Sequence, residues 1–479
     1  MRHFVWVSVL LVAFGAIADD GEMLRRNIPS TPELDSEHAA LKMMPFYVPA
    51  QNSEGELLTE GIEYLDFDEV LVETRTDARP LVATYQDGHV DSIEGIGFKG
   101  HGQRDAFAAV SLDDGQTWKR KNLSNSGDLS SFSIKVKKKW LPYPGDVVTM
   151  FTAVENNKVL VTWASRYCQG GDPTYAFTDE EKDILVAYDD TLASGLVTVD
   201  GIDYRLYLDD LFGVGGSQSS SDFADEGYPE VGEVPFSCLW AARGTLELDS
   251  VTGLHDVVWR KAERLTSGRR DVNRVETACE PGAGCVITWQ EDPDGLRPGE
   301  GEGPGEGWSG AIAHHQTDIW YSYIDWDHFD LVDGDDGNPI PLVDYISDTE
   351  PKVGIPMSIP VRLTDNAMCT YITEPNVPGY SPYCVADLDE SGGLDACETQ
   401  TDLTITDIVT GDQTTIVNVC VAEDGRLMRG NTASTRARLN LRGYDVDGHG
   451  IYDSAWVITA YEESKGLGEE EVDAAIEAG

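Results

Sequence analysis

Oxygen-bearing side chains recur at metal-binding spacing near residue 390. Within the twelve-residue segment 387–398, oxygen donors stand at the first, third, fifth, ninth and twelfth positions, with Gly392 at the sixth. Hard oxygen ligands at this spacing suit Ca²⁺, because one cation then holds together carboxylates that would otherwise repel each other. The segment therefore predicts a Ca²⁺ loop; the alternative is an acidic, glycine-rich turn without metal. Its ligands would be the side chains of Asp387, Asp389, Ser391, Asp395 and Glu398, and the backbone carbonyl of Gly393.

This spacing is that of an EF-hand loop, although the flanking helices of an EF-hand are not evident and Thr399 replaces the usual apolar residue. A second acidic segment follows the D-x-D-x-x-G-x-x-D pattern of other calcium loops. There His449 stands where Asp or Asn is usual and the twelfth position is Trp456, so one ligand is missing and a metal-free turn is an equal alternative. The candidate ligands of this weaker Ca²⁺ site are Asp445, Asp447, His449 and Asp453.

The N-terminus has the pattern of a cleavable secretory signal peptide over residues 1–18. A basic start, Met1-Arg2-His3, precedes a short apolar run, and Ala16-Ile17-Ala18 presents small residues at the cleavage positions. The apolar run is too short for a membrane anchor, and no other stretch approaches the roughly 18 apolar residues of a transmembrane helix. We therefore expect a secreted or cell-surface protein without a transmembrane segment; the alternative for this run is a buried strand.

Charge and cysteine content agree with export. The net charge of −50 argues against nucleic acid or an anionic membrane as a partner and leaves an unknown extracellular ligand, glycan or protein. Eight cysteines in an exported chain predict disulfides. The short spacing favours Cys279–Cys285, and the remaining pairings, which are guesses, are Cys168–Cys238, Cys369–Cys384 and Cys397–Cys420.

Short apolar or alternating runs dominate the chain and predict many strands. One type of run, in which apolar residues lead to Thr and then to an aromatic or nearly aromatic position, recurs at 81–86, 159–164, 285–290 and 456–461. A second type tends to follow it, at 105–111, 183–188 and 318–323. Repeated β units with variable insertions favour a propeller, and the alternative is chance similarity among the strands of a sandwich. The last unit lacks a second half, so we expect either ring closure by an N-terminal strand or a longer protein.

A tight turn is predicted at Ser111-Leu112-Asp113-Asp114-Gly115-Gln116-Thr117-Trp118, which matches the Asp-box pattern S/T-x-D-x-G-x-T-W. Asp113 can accept hydrogen bonds from turn amides, Gly115 can adopt positive φ, and Trp118 can pack under the turn. With Ser111 and Thr117 these residues make the chain resemble the sialidase-like (BNR/Asp-box) β-propellers. In that family the motif is structural, so the resemblance implies a fold and not an activity.

Enzymatic sialidases would add an arginine cluster, a Tyr nucleophile with a Glu partner, and an acid/base Asp. The Arg-Ile-Pro signature that opens their propeller is replaced here by Arg26-Asn27-Ile28-Pro29. Arg269, Arg270 and Arg274 could hold a carboxylate, but we expect ordinary pairing with Glu263, Asp271 and Glu276. The catalytic signature of a sialidase is therefore not found in the sequence, and a catalytic role is left as the alternative.

A wider resemblance covers about residues 274–325 and 443–463, including V-I-T-W-Q-E-D-P-D-G and H-Q-T-D-I-W-Y-S-Y. These segments look like the bacterial surface proteins called choice-of-anchor O. That resemblance implies a location outside the bacterial cell more than an activity, and the absence of their C-terminal sorting signal favours a longer parent protein.

Together these patterns predict an all-β fold, a complete or incomplete sialidase-like β-propeller with long loop insertions and a calcium-loop insertion. The expected role is a secreted, Ca²⁺-binding binding or structural module; the alternative is a sialidase-like, glycan-active hydrolase that uses the propeller cleft. The expected segments are a signal peptide at 1–18, a leader at 19–60, blades at 61–330, the insertion with the calcium loop at 331–440, and a further blade strand with an acidic tail at 441–479.

Calcium binding at Asp387–Glu398 predicts that EDTA lowers the melting temperature of the protein, because a cation that binds only the folded state stabilises it. Asp389→Ala should reduce the difference between melts with Ca²⁺ and with EDTA. Glu390→Ala, which removes the same charge at a non-ligand position of the loop, should preserve that difference. Melting temperatures that do not respond to EDTA would contradict the prediction.

Overall fold

We describe the fold from a computed structural model of the chain. The segments predicted as signal peptide, calcium loop 387–398 and strand 183–188 lie outside the described residues. The structure describes residues 28–31, 34–65, 70–90, 102–136, 139–169, 196–199, 202–205, 235–260, 262–266, 268, 270–292, 317–330, 357, 361–364, 369–372, 383–386, 399–406, 413–421, 431–446, 448–449, 452 and 454–465.

The regular elements of these residues are all β-strands, which confirms the all-β prediction. No helix long and apolar enough to cross a membrane occurs in this part of the chain. The strands are β1 (Asp35–Met43), β2 (Val48–Pro49), β3 (Ile62–Leu65), β4 (Leu71–Arg75), β5 (Asp77–Ala78), β6 (Leu81–Val90), β7 (Gly102–Ser111), β8 (Lys119–Asn122), β9 (Phe132–Val136), β10 (Lys139–Tyr143), β11 (Val147–Glu155), β12 (Lys158–Ser165), β13 (Leu196–Val199), β14 (Ile202–Arg205), β15 (Cys238–Leu248), β16 (His255–Trp259), β17 (Glu263–Arg264), β18 (Asp271–Glu280), β19 (Gly284–Asp292), β20 (Asp318–Ile324), β21 (Val361–Arg362), β22 (Cys369–Ile372), β23 (Tyr383–Ala386), β24 (Thr399–Thr406), β25 (Gln413–Val421), β26 (Asn431–Tyr444) and β27 (Ser454–Lys465).

Three antiparallel sheets repeat the same four-strand order along the chain. Their orders are β1-β6-β7-β8, β11-β12-β15-β16 and β18-β19-β20-β21, with the short β17 also paired to β15. In each sheet successive strands of the path lie side by side, which is an up-and-down meander. The segment predicted as a leader thus supplies β1, the first strand of the first sheet.

The first strands of successive sheets contact one another in series. β1 contacts β11, β11 contacts β18, and β18 contacts β26, which pairs with β27. Sheets that meet through their first strands and carry their other strands outward are arranged as the blades of a propeller. The described residues therefore form propeller blades, as the repeated runs predicted.

The recurring runs of the sequence are the second strands of these blades. β6 is buried over most of its length, and β12 and β19 are buried throughout, because each has a strand on both edges and further blades against its faces. The second blade takes β15 as its third strand, beside β12, where the sequence suggested residues 183–188. In β27, which among the described strands pairs only with β26, the same run is exposed: Trp456 by 65% and Ile458 by 50%.

Two disulfides join adjacent strands. Cys279–Cys285 closes the hairpin between β18 and β19, which confirms the pairing favoured by spacing. Cys168–Cys238 joins the segment after β12 to the first residue of β15, as the sequence suggested. The side chains of the other four cysteines lie outside the described residues.

Hydroxyl pairs join neighbouring blades at a repeated position. Thr84 Oγ1 lies 2.5 Å from Thr152 Oγ1 of the next blade, and Thr162 Oγ1 lies 2.7 Å from Thr277 Oγ1 of the blade after it. Thr84 and Thr162 occupy the same place in the recurring run, so its Thr is a contact between blades. Both bonds are shielded from solvent, because Thr84 is 1% and Thr162 0% exposed.

Buried carboxylates form a second repeated contact between blades. Asp146, just before β11, accepts hydrogen bonds from the backbone N–H of Arg104 at 3.1 Å and from its guanidinium at 2.8 and 2.6 Å. Asp271, the first residue of β18, accepts from the backbone N–H of Ser237 at 2.8 Å and from Arg166 at 3.2 Å. Each aspartate thus ties the first strand of one blade to the start of the third strand of the blade before it.

Thr162→Val should destabilise the fold by about 1–3 kcal/mol, because it leaves the half-buried Thr277 hydroxyl without its partner. The double variant Thr162→Val/Thr277→Val should recover much of that loss, since replacing both partners of a hydrogen bond is nearly neutral. Urea unfolding of the two single variants and the double variant measures this coupling. Additive losses would contradict a hydroxyl bridge between the blades.

Candidate functional site

The two ends of the blades differ in their connections. We call the end where the first strands begin the loop end and the opposite end the turn end. Antiparallel order places the connections from second to third strands at the loop end, and these are the long segments 91–101, 166–237 and 293–317. In the first two blades, third and fourth strands are joined at the turn end by the short segments 112–118 and 249–254, whereas the connections 44–80 and 325–360 at that end are long. Because binding surfaces are built from long loops on a rigid scaffold, and all three blades have a long second-to-third connection, the loop end is the first place to look for a site.

Three first strands carry a β-bulge at an equivalent position near the loop end. The bulges lie between Glu37 and Ala40 in β1, between Asn273 and Glu276 in β18, and between Thr435 and Arg438 in β26. In each, a non-glycine residue has positive φ: His38 at 48°, Arg274 at 48° and Arg436 at 57°. Such bulges redirect side chains and are enriched beside functional sites.

Two of these bulges bring arginines together. Arg274, Arg436 and Arg438, which we call the inner arginine cluster, lie on the adjacent first strands β18 and β26. Partial burial, followed by the charges of Arg436 and Arg438, lowers the pKa of Arg274. The guanidinium groups of Arg436 and Arg438 are therefore near enough to repel that of Arg274.

Carboxylates neutralise only part of the inner arginine cluster. Arg436 pairs with Glu462 at 3.1 Å, and Arg438 pairs with Glu276, whose other oxygen accepts the Leu439 N–H at 2.9 Å. Arg274 is exposed and forms no ion pair with any other described residue. Since guanidinium groups bind carboxylate or sulfate with two parallel hydrogen bonds, Arg274 can accept an anionic group from solution.

The structure separates the arginines that the sequence grouped. Arg270 Nε lies 2.5 Å from Glu291 Oε2, and its guanidinium stacks 4.7 Å from the Trp320 ring, whereas Arg269 lies outside the described residues. The three acidic residues expected as their partners pair with other arginines: Glu263 with Arg243, Asp271 with Arg166, and Glu276 with Arg438. Contacts within and between blades bring these arginines closer than their separation in sequence indicates.

At the turn end, the five Asp-box residues lie in one turn between β7 and β8. The Asp113 carboxylate accepts from the Ser111 hydroxyl at 2.7 Å, the Thr117 N–H at 2.9 Å and the Thr117 hydroxyl at 2.6 Å. Gly115 has φ of +86° and donates its N–H to Ser111 Oγ at 2.8 Å. The Trp118 indole N–H donates to the Gly115 carbonyl at 3.1 Å, beneath the turn.

This turn also holds the segment before β3. Thr117 Oγ1 accepts the Ser53 N–H at 2.7 Å, and Asp114 accepts hydrogen bonds from the Tyr64 hydroxyl and, at 3.0 Å, from the Arg79 N–H. The Asp-box turn therefore acts as a structural support that fixes residues 51–56 against the first blade.

Of the predicted metal sites, only parts of the second are described. Asp445 Oδ1 accepts the N–H groups of Gly448 at 2.6 Å and His449 at 3.0 Å, while Asp447 and Asp453 lie outside the described residues. Within the part of the chain that the structure describes, no three His, Cys, Asp or Glu residues form a group that could hold a metal. Calcium binding stays a prediction.

Among known proteins, the chain matches solved structures but no family model or curated sequence. Solved structures that match include Trypanosoma rangeli sialidase (10% identity, 91% of this chain, 54% of that chain, TM-score 0.23). The same enzyme in complex with 2,3-difluorosialic acid matches at 9% identity over 89% of this chain and 53% of that chain, with a TM-score of 0.24. Its complex with sialic acid matches at 11% identity over 93% of this chain and 60% of that chain, with a TM-score of 0.23. The chain spans little more than half of these structures, and its fold assignment rests on its own sheet topology.

Asp113→Ala should cost about 1–3 kcal/mol of stability, since it removes the acceptor of three hydrogen bonds in a buried turn. It should also speed amide exchange at residues 51–56, because Thr117 loses the partner that orients its hydroxyl toward Ser53. Urea unfolding and hydrogen exchange measure the two effects. The exposed Asp128 provides the control, and equal behaviour of Asp128→Ala and Asp113→Ala would refute the support role.

Proposed function

We propose that this protein is a secreted β-propeller that binds an anionic extracellular ligand at its loop end. The observation that carries the proposal is the exposed Arg274, which lies beside Arg436 and Arg438 in a chain of net charge −50. The blades supply a scaffold, and the second-to-third-strand connections leave the blades at the same end.

The electrostatics favour a local contact over general adhesion. A strongly acidic surface repels polyanions, so attraction can come only where cations are concentrated and incompletely paired. Glu462 and Glu276 orient Arg436 and Arg438, and both guanidinium groups keep unused N–H donors beside Arg274. An entering carboxylate or sulfate would offset the repulsion that Arg436 and Arg438 exert on Arg274, which would favour binding.

The ligand class that fits these groups is a polysaccharide with carboxylate or sulfate groups. Guanidinium groups match the planar geometry of carboxylates, and a chain of such sugars could extend from the cluster along the loops. The alternative role, a glycan-active hydrolase of sialidase type, would use the same carboxylate grip and differs by releasing products.

Secretion and Ca²⁺ binding are further parts of the proposed function. Two disulfides, formed among residues that sequence analysis places after a signal peptide, are compatible with an oxidising location. Ca²⁺ at the loops 387–398 and 445–453 would add positive charge to acidic loops and stabilise them. The Asp445 side chain, which caps its own turn through two N–H groups, supports such a loop at the second segment.

Arg274→Gln should weaken binding of polygalacturonate or heparin about tenfold, because one charge-assisted contact is worth about 1.5–3 kcal/mol. Lys121→Gln removes one exposed positive charge from β8, away from the inner arginine cluster, and should leave affinity unchanged. Isothermal titration at several salt concentrations measures both variants, and the affinity of the unaltered protein should fall as salt rises.

Equal affinities of the Arg274→Gln and Lys121→Gln variants, or no binding of either polyanion at low salt, would contradict the proposal. Chromatography of the same polyanions and of sialyllactose after incubation tests the alternative. Release of shorter chains or free sialic acid by the unaltered protein would favour a hydrolase over a binding module.

A further inference from the structure

A cavity of about 300 Å³ lies at the turn end, away from the inner arginine cluster. Three segments distant in sequence form it: the loop 51–55, the first-blade positions 110, 112 and 119, and the turn of the second-blade hairpin at 249–256. Its volume reaches the lower end of the range for small-molecule sites, about 300–1,000 Å³. It therefore has room for one small ligand.

The walls of this cavity are held by internal hydrogen bonds. The Gln51 side chain donates to the His255 carbonyl at 2.5 Å and accepts the His255 N–H at 2.9 Å, which joins the first loop to the second blade. Asn52 Oδ1 accepts two N–H groups of its own loop, and Asp249 caps the hairpin turn through Val251 and Thr252. The bond from Ser53 to Thr117 of the Asp-box turn fixes the same loop from below. The cavity is thus a preformed site.

Several polar groups in the cavity keep hydrogen-bonding capacity. His255 lines the cavity with other atoms of its side chain or backbone, while its Nδ1 is shielded from the cavity and has no hydrogen-bond partner. The Glu54 carboxylate has no side-chain partner among the described residues. Lys119 pairs with Asp256 at 2.5 Å and keeps two further N–H donors. The cavity therefore presents both acceptors and donors.

We infer that this cavity binds one uncharged, hydroxyl-rich ligand, a monosaccharide unit. Each sugar hydroxyl both donates and accepts, so neighbouring hydroxyls can bridge the Lys119–Asp256 pair and reach Glu54. The apolar side chains of the lining, Val110, Leu112 and Leu254, would contact the C–H groups of the ring. His255 forms part of the cavity wall, so a larger ring in its place should change the shape of the site.

Charge argues against other ligand classes at this cavity. Lys119 neutralises Asp256, but the carboxylates of Glu54 and Asp249 remain and disfavour an anionic ligand. The ligand of the inner arginine cluster should therefore not bind in this cavity. Both carboxylate oxygens of Asp249 already accept hydrogen bonds within their own turn. Glu54 is then the one carboxylate left to bind an amine, which disfavours a cationic ligand. The lining residues also form no described metal-binding group.

Saturation-transfer NMR on the full chain tests this inference with galactose, mannose and N-acetylglucosamine as neutral probes. Glucosamine serves as the cationic probe and glucuronate as the anionic probe. At least one neutral sugar should bind saturably, and Glu54→Gln and His255→Phe should each weaken it about tenfold, the loss expected for about 1.4 kcal/mol. Glu60→Gln, on an exposed residue of the same segment outside the cavity, should leave the affinity unchanged.

Binding of a neutral sugar that both cavity variants weaken and Glu60→Gln does not would support the inference. No binding of any neutral sugar, binding confined to glucosamine or glucuronate, or neutral-sugar affinity unchanged in Glu54→Gln would overturn it. Should His255→Phe melt at a lower temperature than the unaltered protein, Glu54→Gln alone decides, because its side chain is exposed and makes no fold contact. Arg274→Gln should not affect this binding, which separates the cavity from the proposed loop-end site.

Discussion

The arrangement depends on buried carboxylates at the start of the first strands. Asp146 and Asp271 each accept an N–H from the residue at or next to the start of the third strand of the preceding blade, and each also binds an arginine. An unpaired carboxylate in such a place would cost several kcal/mol, so each blade is stable only with its neighbour in position. The threonine pairs repeat this dependence farther along the strands, and the mutual position of the first strands follows from both contacts.

The mutual position of the first strands determines where a binding site can form. Because adjacent first strands lie side by side, their bulges place Arg274 beside Arg436 and Arg438, from which the chain separates it by more than 160 residues. The same antiparallel order sends every second-to-third connection to the loop end and the short turns 112–118 and 249–254 to the turn end. One end thus combines a cationic cluster with long connections, and the other combines an Asp-box turn with a preformed polar cavity.

Much of this fold could be predicted from the sequence. The recurring Thr run marks the second strands because β6, β12 and β19 face the same surroundings, and the Asp-box turn and Cys279–Cys285 follow from local spacing. The partner of β12 was missed, since residues 166–237 separate it from β15 and no local pattern spans such an insertion. The inner arginine cluster was missed for a related reason: only the contact of β18 with β26, between two sheets, brings Arg274 to Arg436. A positive-φ bulge at arginine has no sequence signature.

Buried carboxylates and hydroxyl pairs make the blades one cooperative unit. Native-state hydrogen exchange in increasing urea tests this cooperativity most directly, at the amides of Arg104 and Ser237, which donate to Asp146 and Asp271. Both amides should become exchangeable only together with the core of β12, at the free energy of global unfolding. Exchange of either amide at a clearly lower free energy, with each blade opening by itself, would show that the blades are not one unit.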